Sequence, residues 1–472
     1  MSITFTLNGE LRRLPAETLP AMTLLDWLRA AGLTGTKEGC AEGDCGACTV
    51  VIEAPDGARA PVNACLMTLG QAHGLALRSV EGLSAPDGAP HPVQAAMLAA
   101  EATQCGFCTP GIVMSLYAHA RMGGDAHEAL AGNLCRCTGY RPILDAMAAL
   151  PVAEDAAPSC PATDVTGFGP PEHRFFLPRS LDETLRLRRE HPGAWILAGG
   201  TDLGLQFSEH RENPGSIICL RDVAELRGMT AGPEGLSVGA AEPYAALLDH
   251  MAHDADFAAF AGLLRRLGSR QIRALGTLGG NLGTASPIGD ALPPLLALGA
   301  RVSLAGPDGA RDVAVEDFLL GYRRNALGEH EVIARVFIPR PTSGAIFAAE
   351  KLSRRHDQDI SAIGLAVLLE RDGDVITHAR IAHGGCGPMA ARALEAEAVL
   401  EGAAFTEAQA RAAGDALARA ITPMDDLRGT AEYRRVAARN LMLRLYWREV
   451  RPDAAAEIMA MPTPHTPRFI AP

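Results

Sequence analysis

The first 85 residues alternate between strand-like and helical patterns. The run ITFTL (3–7) alternates apolar and polar residues, which predicts a half-buried strand, and Asn8-Gly9 predicts the hairpin turn that follows it. The segment TLLDWLRAAG (23–32) predicts an amphipathic helix, because its leucines share one face and threonine and glycine stand at the favoured cap positions. With a strand over TVVIEA (49–54), residues 1–85 are predicted to form a small α+β domain.

After residue 85 the strand signal disappears and then returns. Residues 86–152 carry apolar residues at helical spacing, which predicts an all-helical domain. A Pro/Ala-rich stretch without either period predicts a linker over 153–172. In residues 173–342, strand-like runs such as AWILAG, GSIICL and RVSLAG alternate with helical stretches, which predicts an α/β domain. Residues 343–455 show two strand-like runs and then Ala-rich helices, so a final α+β domain is expected.

Composition restricts the class of function. The 472 residues are 48% hydrophobic, enough for several globular domains. A net charge of −12 argues against a nucleic-acid surface and against a polybasic membrane tether. The start MSITFTLNGE lacks the features of a signal peptide, and no apolar run is long enough to span a bilayer, so a cytoplasmic location is expected. Because thiols stay reduced there, the eleven cysteines are expected to be metal ligands or catalytic groups.

Four cysteines of the first domain have a specific spacing. This first set is Cys40, Cys45, Cys48 and Cys65. Three thiols from one tight loop and a fourth from a distant segment match the plant-type pattern for a [2Fe–2S] cluster, with zinc as the rival for any four-cysteine site. Gly39, Gly43 and Gly46 are expected to give the loop positive φ angles, so that backbone N–H groups turn towards the sulfurs.

Four more cysteines lie in the predicted helical domain. This second set is Cys105, Cys108, Cys135 and Cys137. Each pair stands shortly before a predicted helix start, near Pro110 and near Pro142, and helix amino-termini favour an anionic centre. The spacing alone does not decide between iron and zinc, whereas a missing histidine after either C-x-x-C excludes covalent haem.

The motifs GCAEGDCGAC, CGFCTPG and NLCRCTGYRPI, in this order, resemble the two-cluster module of the xanthine dehydrogenase/aldehyde oxidase molybdenum hydroxylase family. The resemblance covers the first 150 residues. It implies a multidomain α+β chain that begins with a β-grasp ferredoxin-like domain and a four-helix-bundle domain. It also implies that each of these domains holds a [2Fe–2S] cluster, so that iron rather than zinc occupies the second set.

The remainder resembles the flavin portion of the same family, which implies an α/β FAD-binding domain and a C-terminal α+β flavoprotein domain. ILAGGTDLG (196–204) and IRALGTLGGNLGTASPIGDALPPLLALGA (272–300) are similar to its two FAD-contacting loops. FLLGYRRNAL and EKLSRRHDQDI also fit. Without the resemblance, such glycine-rich loops are more often ordinary turns than phosphate cradles.

Carried over by position, the resemblance assigns FAD contacts to two loops and to two residues nearer the isoalloxazine ring. The first loop has Ala198, Gly199, Gly200, Thr201, Asp202 and Leu203; the second has Gly276, Thr277, Gly280, Asn281, Thr284 and Asp290; nearer the ring are Ile333 and Lys351. This chain departs from many relatives at two of these positions, because Gly200 stands in place of Asn and Asp202 in place of Glu.

The resemblance also implies an order of electron flow: from a molybdenum–pterin cofactor to the helical-domain cluster, then to the β-grasp cluster, to FAD and to NAD. No residue of this chain is expected to oxidise the organic substrate. That step is assigned to a large subunit, expected in a heterotetramer of two pairs. The fusion of cluster and flavin portions without a molybdenum portion favours a member that oxidises hypoxanthine and xanthine to urate. A member acting on an aldehyde or on an N-heterocycle such as nicotinate is the alternative, and a zinc-bound interaction protein is the alternative of another class.

Overall fold

The structure, a computed structural model, describes residues 2–150, 160–161 and 165–453. These residues fall into two compact units. Within the described ranges, the first unit holds residues up to 286, 299–340 and 354–360, and the second holds 287–298, 341–353 and 361–453. Among the described residues no helix is both long and apolar enough to cross a bilayer.

The first unit begins with a mixed five-stranded sheet and a covering helix. Its elements are β1 (Thr4–Leu7), β2 (Glu10–Arg13), α1 (Leu24–Ala30), β3 (Thr49–Glu53), β4 (Arg59–Asn63), α2 (Leu69–Ala72) and β5 (Ala76–Arg78). The strand order is β2-β1-β5-β3-β4, with β1 and β5 parallel, which is the predicted β-grasp arrangement. The hydroxyl of Thr23 accepts the N–H of Asp26 at 3.0 Å, and Gly32 has φ +83°, so both predicted helix caps are confirmed.

Four helices follow, as predicted. They are α3 (Pro92–Ala99), α4 (Thr109–Met122), α5 (Ala126–Leu130) and α6 (Arg141–Ala148). Ile112, Leu116 and Ile143 are completely buried at the centre of this helical core. A proline stands in the first turn of both α4 and α6, where the missing N–H costs no hydrogen bond, and this fixes the helix starts close behind the cysteines.

The remaining elements of the first unit form two sheets and a short hairpin. In chain order they are β6 (Gly167–Phe168), β7 (Arg174–Phe176), α7 (Leu181–Glu190), β8 (Trp195–Leu197), α8 (Gly204–Ser208), β9 (Ser216–Cys219), β10 (Met229–Ala231), β11 (Gly235–Gly239), α9 (Tyr244–Ala252), α10 (Ala258–Arg265), α11 (Arg270–Leu275), α12 (Leu278–Thr284), β12 (Arg301–Gly306), β13 (Gly309–Ala314), α14 (Val315–Phe318), β14 (Leu319–Gly321), β15 (Arg324–Asn325) and β16 (Val332–Pro339). Helix α13 (Leu292–Ala297), which lies between α12 and β12 in the chain, belongs to the second unit. The sheet orders are β6-β7-β9-β8 and β10-β11-β16-β12-β13, and β14 pairs with β15.

The predicted linker over 153–172 lies partly outside the described residues. At its end, Gly167–Phe168 form β6, which pairs with β7. Phe168 is completely buried, and its ring stacks on that of Phe175 at 5.4 Å. Two residues are too few to show a strand period in the sequence, so the packing of the aromatic rings decides this element.

The second unit is an antiparallel sheet with helices. Besides α13 it contains β17 (Ile346–Leu352), β18 (Ile363–Asp372), β19 (Val375–Gly384), β20 (Ala391–Arg392), α15 (Leu394–Leu400), α16 (Glu407–Ala420) and α17 (Ala431–Val450). The strands lie in the order β17-β18-β19-β20. Asp372 pairs with Val375, so the hairpin between β18 and β19 turns at Gly373 and Asp374, one residue later than the Asp372-Gly373 turn that the sequence indicates.

An ion pair at the start of α17 makes the stability of the second unit sensitive to acid. The buried Arg434 guanidinium donates to the Asp426 carboxylate at 2.5 Å, and this bond is the main cause that lowers the pKa of Asp426 to about 2. Because the carboxyl pKa is near 3.9 in an unfolded chain, the pair stabilises the fold above about pH 4, and this contribution is lost as the pH falls through about 2.

We therefore expect Asp426→Asn to lower the midpoint of thermal unfolding at pH 6 and to remove part of its decline between about pH 4 and pH 2. Calorimetry on the full chain measures both effects. The exposed Asp374 provides the matched control, and Asp374→Asn is expected to leave the acid slope unchanged. An acid slope in Asp426→Asn equal to that of the wild type would contradict this account.

Candidate functional site

The first set of cysteines lies in two close pairs of thiols. Cys48 and Cys65 are 2% exposed, and their Sγ atoms are 3.3 Å apart. Cys40 and Cys45 are half-buried, with their thiols within hydrogen-bonding range of each other. The first three thiols come from the loop between α1 and β3, and the fourth follows β4, so the predicted four are brought together.

Backbone N–H groups of this loop point at a sulfur, as expected. The amides of Glu42, Asp44 and Cys45 donate to Cys40 Sγ at 3.4, 3.4 and 3.3 Å. The hydrogen bond from the Cys45 thiol and these amides lower the pKa of Cys40 to about 5. A loop that stabilises a thiolate suits a metal ligand, because only the deprotonated sulfur binds.

The three glycines of the loop do not all have positive φ angles, which corrects the expectation for Gly39. Gly43 and Gly46 have positive φ, +80° and +66°, as predicted, but Gly39 does not. A Cβ on Gly39 would lie 2.8 Å from Cys45 Sγ, so this glycine makes room for a sulfur. The further positive φ, +60°, falls on Ala41, and an alanine gives no sequence signal for it.

The second set has the same pairwise arrangement but lies at the surface. The thiols of Cys105 and Cys137 are exposed and within hydrogen-bonding range of each other. Those of Cys108 and Cys135 form the second pair and are partly covered. The Thr138 hydroxyl lies 3.1 Å from Cys135 Sγ.

The pairing fits binuclear iron centres. Each set consists of two close pairs of thiols. Tetrahedral zinc would draw four sulfurs around one point, whereas each iron of a [2Fe–2S] centre takes two thiolates. The arrangement therefore fits a [2Fe–2S] centre at both sets, including the second, for which the spacing left zinc open.

The loops of the two sets touch each other. The N–H of Leu134, next to Cys135, donates to the carbonyl of Cys45 at 2.9 Å. Phe107 and Leu134 are 48% and 43% exposed, and the Phe107 ring also reaches the first loop, where it would lie 3.5 Å from a Cβ on Gly39. The second set thus has one side against the first set and another side open to solvent. Sequence spacing indicated neither the contact nor the exposure.

The two predicted FAD loops of the first unit lie against each other. Residues 198–203 follow the carboxyl end of β8, and Gly200 has φ +80°. A Cβ on Gly199 would lie only 1.8 Å from the carbonyl oxygen of Leu275, just before Gly276 in the second loop. The second loop is more ordered than its composition suggests, because residues 278–284 form α12, capped by the hydroxyl of Thr277. Gly280, Asn281 and Thr284 therefore lie on a helix.

A hairpin within FLLGYRRNAL, which the sequence analysis matched to the flavin portion without assigning FAD contacts to it, links the two loops. Arg323, between β14 and β15, donates to both carboxylate oxygens of Asp202 at 3.1 Å. Asn325 donates to the carbonyl of Gly283 at 2.8 Å. Nearby, the buried Asn281 Oδ1 has no protein partner, which suits a site that receives a polar ligand. Ile333, on β16, is buried, and its Cδ1 would lie 3.8 Å from a Cβ on Gly283.

The first loop also rests on the segment that carries Cys65. Gln71 donates to the carbonyl of Gly199 at 3.2 Å. A Cβ on Gly204 would lie 2.7 Å from the carbonyl oxygen of Leu66. The ligand segment of the first set and the first glycine-rich loop are therefore in direct contact.

Two of the predicted FAD residues lie in the second unit. There Lys351, almost fully buried on β17, pairs with Asp290 at 2.6 Å. The Ser361 hydroxyl donates to the other carboxylate oxygen of Asp290 at 2.5 Å, and sequence reasoning missed this serine. The buried charges satisfy each other, which is the condition under which burial of such a pair is tolerated.

Comparison with known proteins shows four family matches in succession along the chain. Residues 5–70 match the "2Fe-2S iron-sulfur cluster binding domain" and residues 79–148 the "[2Fe-2S] binding domain". Residues 171–341 match the "FAD binding domain in molybdopterin dehydrogenase", and residues 348–450 the "CO dehydrogenase flavoprotein C-terminal domain". These domains define an iron–sulfur and flavin electron-transfer chain.

Curated relatives and solved structures agree with this class. Xanthine dehydrogenases 2 and 1 of Arabidopsis thaliana are each 32% identical, over 85% and 84% of this chain and 36% of their own length, so the chain spans about a third of these relatives. A chain of carbon monoxide dehydrogenase from Hydrogenophaga pseudoflava has a TM-score of 0.55 and 31% identity, covering 57% of this chain and 94% of that one. Quinoline 2-oxidoreductase from Pseudomonas putida 86 has a TM-score of 0.53 and 27% identity, covering 60% and 97%. The chain belongs to the molybdenum hydroxylase family.

Proposed function

We propose that the chain is the iron–sulfur and FAD subunit of a xanthine dehydrogenase. In this role it passes electrons from a molybdenum–pterin cofactor on a partner chain to FAD and on to NAD, while the partner oxidises hypoxanthine and xanthine to urate. Two such pairs are expected to form a heterotetramer in the cytoplasm. The observation that carries the proposal is the extent of similarity: xanthine dehydrogenases match cluster and flavin portions together, over 84–85% of the chain, whereas nearly all of the solved carbon monoxide dehydrogenase chain matches only 57%.

The two sets of cysteines are assigned to the two [2Fe–2S] centres. Iron–sulfur centres pass single electrons, and a bound flavin can accept them singly and release a hydride. The exposed side of the second set, with Phe107 beside Cys105 and Cys137, is assigned to the partner chain, because large exposed apolar residues beside ligands favour a docking surface. The buried first set then lies between the second set and the flavin loops.

The glycine-rich loops are assigned to FAD. Gly199 lies where the two loops meet, close to the backbone of Gly276. Glycine-rich backbone of this kind can approach a pyrophosphate closely, because no side chain stands in the way. Asp202 is held by Arg323, and Asn281 offers an unpaired amide oxygen to the ligand. The assigned set on these loops is Ala198, Gly199, Gly200, Thr201, Asp202, Leu203, Gly276, Thr277, Gly280, Asn281 and Thr284, with Ile333 on β16 and, from the second unit, Asp290 and Lys351.

The proposal is tested by metal analysis and turnover of the purified protein with its co-purifying partner. We expect about four irons and one FAD per chain, no zinc, and NAD-linked formation of urate from xanthine. Zinc in place of iron would overturn the oxidoreductase role. Oxidation of nicotinate, quinoline or an aldehyde without urate formation would move the assignment to another hydroxylase, a possibility that the similarity to quinoline 2-oxidoreductase supports. Turnover with oxygen but not with NAD would overturn the assigned acceptor.

A further inference from the structure

Four buried polar side chains meet between the loops of the two cysteine sets. They are Thr49, Ser115, Asn133 and Gln271, here called the polar node, and each is at most 3% exposed. Thr49 belongs to the β-grasp portion, Ser115 and Asn133 to the helical portion, and Gln271 to the flavin portion. Polar groups this deep favour hydrogen-bond partners, so the donors of the node constrain its arrangement, while Gln271 Oε1 has no protein partner.

The four side chains of the node are hydrogen-bonded to one another in one network. The Gln271 side-chain amide donates towards Asn133 Oδ1 at 3.1 Å, Thr49 Oγ1 at 3.2 Å and Ser115 Oγ at 3.3 Å. The Ser115 hydroxyl donates to Asn133 Oδ1 at 2.6 Å. Asn133 in turn donates to the carbonyl of Gly46 at 3.0 Å, and the Thr49 hydroxyl donates to the same carbonyl at 2.7 Å.

Each end of this network lies next to a cysteine ligand. Gly46 stands directly after Cys45, and Thr49 directly after Cys48. Asn133 is two residues before Cys135. Movement within the node would therefore displace a ligand of one set relative to the ligands of the other.

The backbone is closely packed around the node at two glycines, where a larger residue would not fit. A Cβ on Gly46 would lie 2.0 Å from the carbonyl oxygen of Gly132, and a Cβ on Gly132 would lie 2.1 Å from Gln271 Oε1. Gln271 stands on α11, and this helix ends directly before the second flavin loop at Gly276. The glutamine thus connects three portions of the first unit through a single side chain.

We propose that Gln271 is a positioning residue that sets the separation of the two iron–sulfur centres, so that a side chain of the flavin portion controls electron transfer between them. The proposal rests on the proposed function, because it requires both centres to be filled. Electron transfer depends steeply on the separation of the centres, and sites of this kind require supporting side chains that hold them within about 0.5 Å.

The test uses Gln271→Leu in the complete protein with its partner. Leucine keeps much of the volume of glutamine but removes the donor, which leaves Asn133 and Thr49 short of a partner and loosens the two loops. We expect unchanged iron and FAD content, and an altered magnetic interaction between the two reduced centres in low-temperature electron paramagnetic resonance. We also expect reduction of FAD through the centres to be slower by about tenfold in stopped-flow experiments.

A second variant keeps the proposal testable if Gln271→Leu does not load iron. Ser115→Ala removes one acceptor of the Gln271 amide and one donor to Asn133, and is expected to slow FAD reduction by about threefold, with a smaller change in the magnetic interaction. Gln409→Leu, on α16 of the second unit, is the matched control and should behave as the wild type. Wild-type magnetic interaction and wild-type rates in an iron-loaded Gln271→Leu, or in Ser115→Ala, would overturn the role of the node. Iron and FAD missing from the wild-type protein itself would instead overturn the proposed function.

Discussion

Replacement of Cys65 by serine is expected to remove the first iron–sulfur centre and to lower the iron content from about four to about two per chain. Cys65 is the single ligand of its set that comes from outside the loop, and it is buried against Cys48. A serine hydroxyl binds iron poorly compared with a thiolate, and the enclosed position leaves no space for another ligand to move in. Metal analysis and electron paramagnetic resonance should show one of two signals lost, with FAD retained.

The same variant should stop electron delivery to FAD, because the first set lies between the second set and the flavin loops. A matched control is Cys160→Ser. The Cys160 thiol donates to the carbonyl of Glu53 at 3.9 Å and belongs to neither set. This control should keep all iron and the normal rate of FAD reduction. Four irons and both signals in Cys65→Ser would remove Cys65 from the ligand set.

The cysteine sets could be predicted from the sequence because their signal is local. Three of the four thiols in the first set lie within nine residues, so spacing alone indicates that one loop holds them. The helix starts near the second set could also be predicted from the sequence, because a proline marks the first turn of each helix. The pairing of thiols within each set required the structure, because it depends on contacts between distant segments.

The contacts that connect the site could not be predicted in this way. Gln271, Arg323 and Ser361 are ordinary polar residues, and their partners lie far away in the sequence. Helix α12 could not be predicted from the sequence for a different reason. Its sequence LGGNLGT has low helix propensity, and tertiary packing overrides that preference: a Cβ on Gly279 would lie 2.5 Å from the carbonyl oxygen of Ala240.

The largest effect on FAD is expected from Gly199→Ala. The new methyl group would lie 1.8 Å from the carbonyl oxygen of Leu275 and 2.4 Å from its carbonyl carbon. These are backbone atoms at the end of α11, so neither can turn away as a flexible side chain would. The first glycine-rich loop must therefore move away from the second, at a cost of about 1–3 kcal/mol, which corresponds to a loss of FAD affinity of about 5- to 150-fold. Fluorescence titration of the flavin-free protein measures this affinity.

The control for this variant stands at the other end of the same strand. Gly193 precedes β8 as Gly199 follows it, and a Cβ on Gly193 meets no atom within 4 Å at an ordinary φ. Gly193→Ala should therefore bind FAD as the wild type does. Iron content should stay at about four in both variants, because no cysteine ligand lies on this loop. Full FAD affinity in Gly199→Ala would mean that the loops can separate without loss of the ligand, and the assignment of residues 198–203 to FAD would then fail.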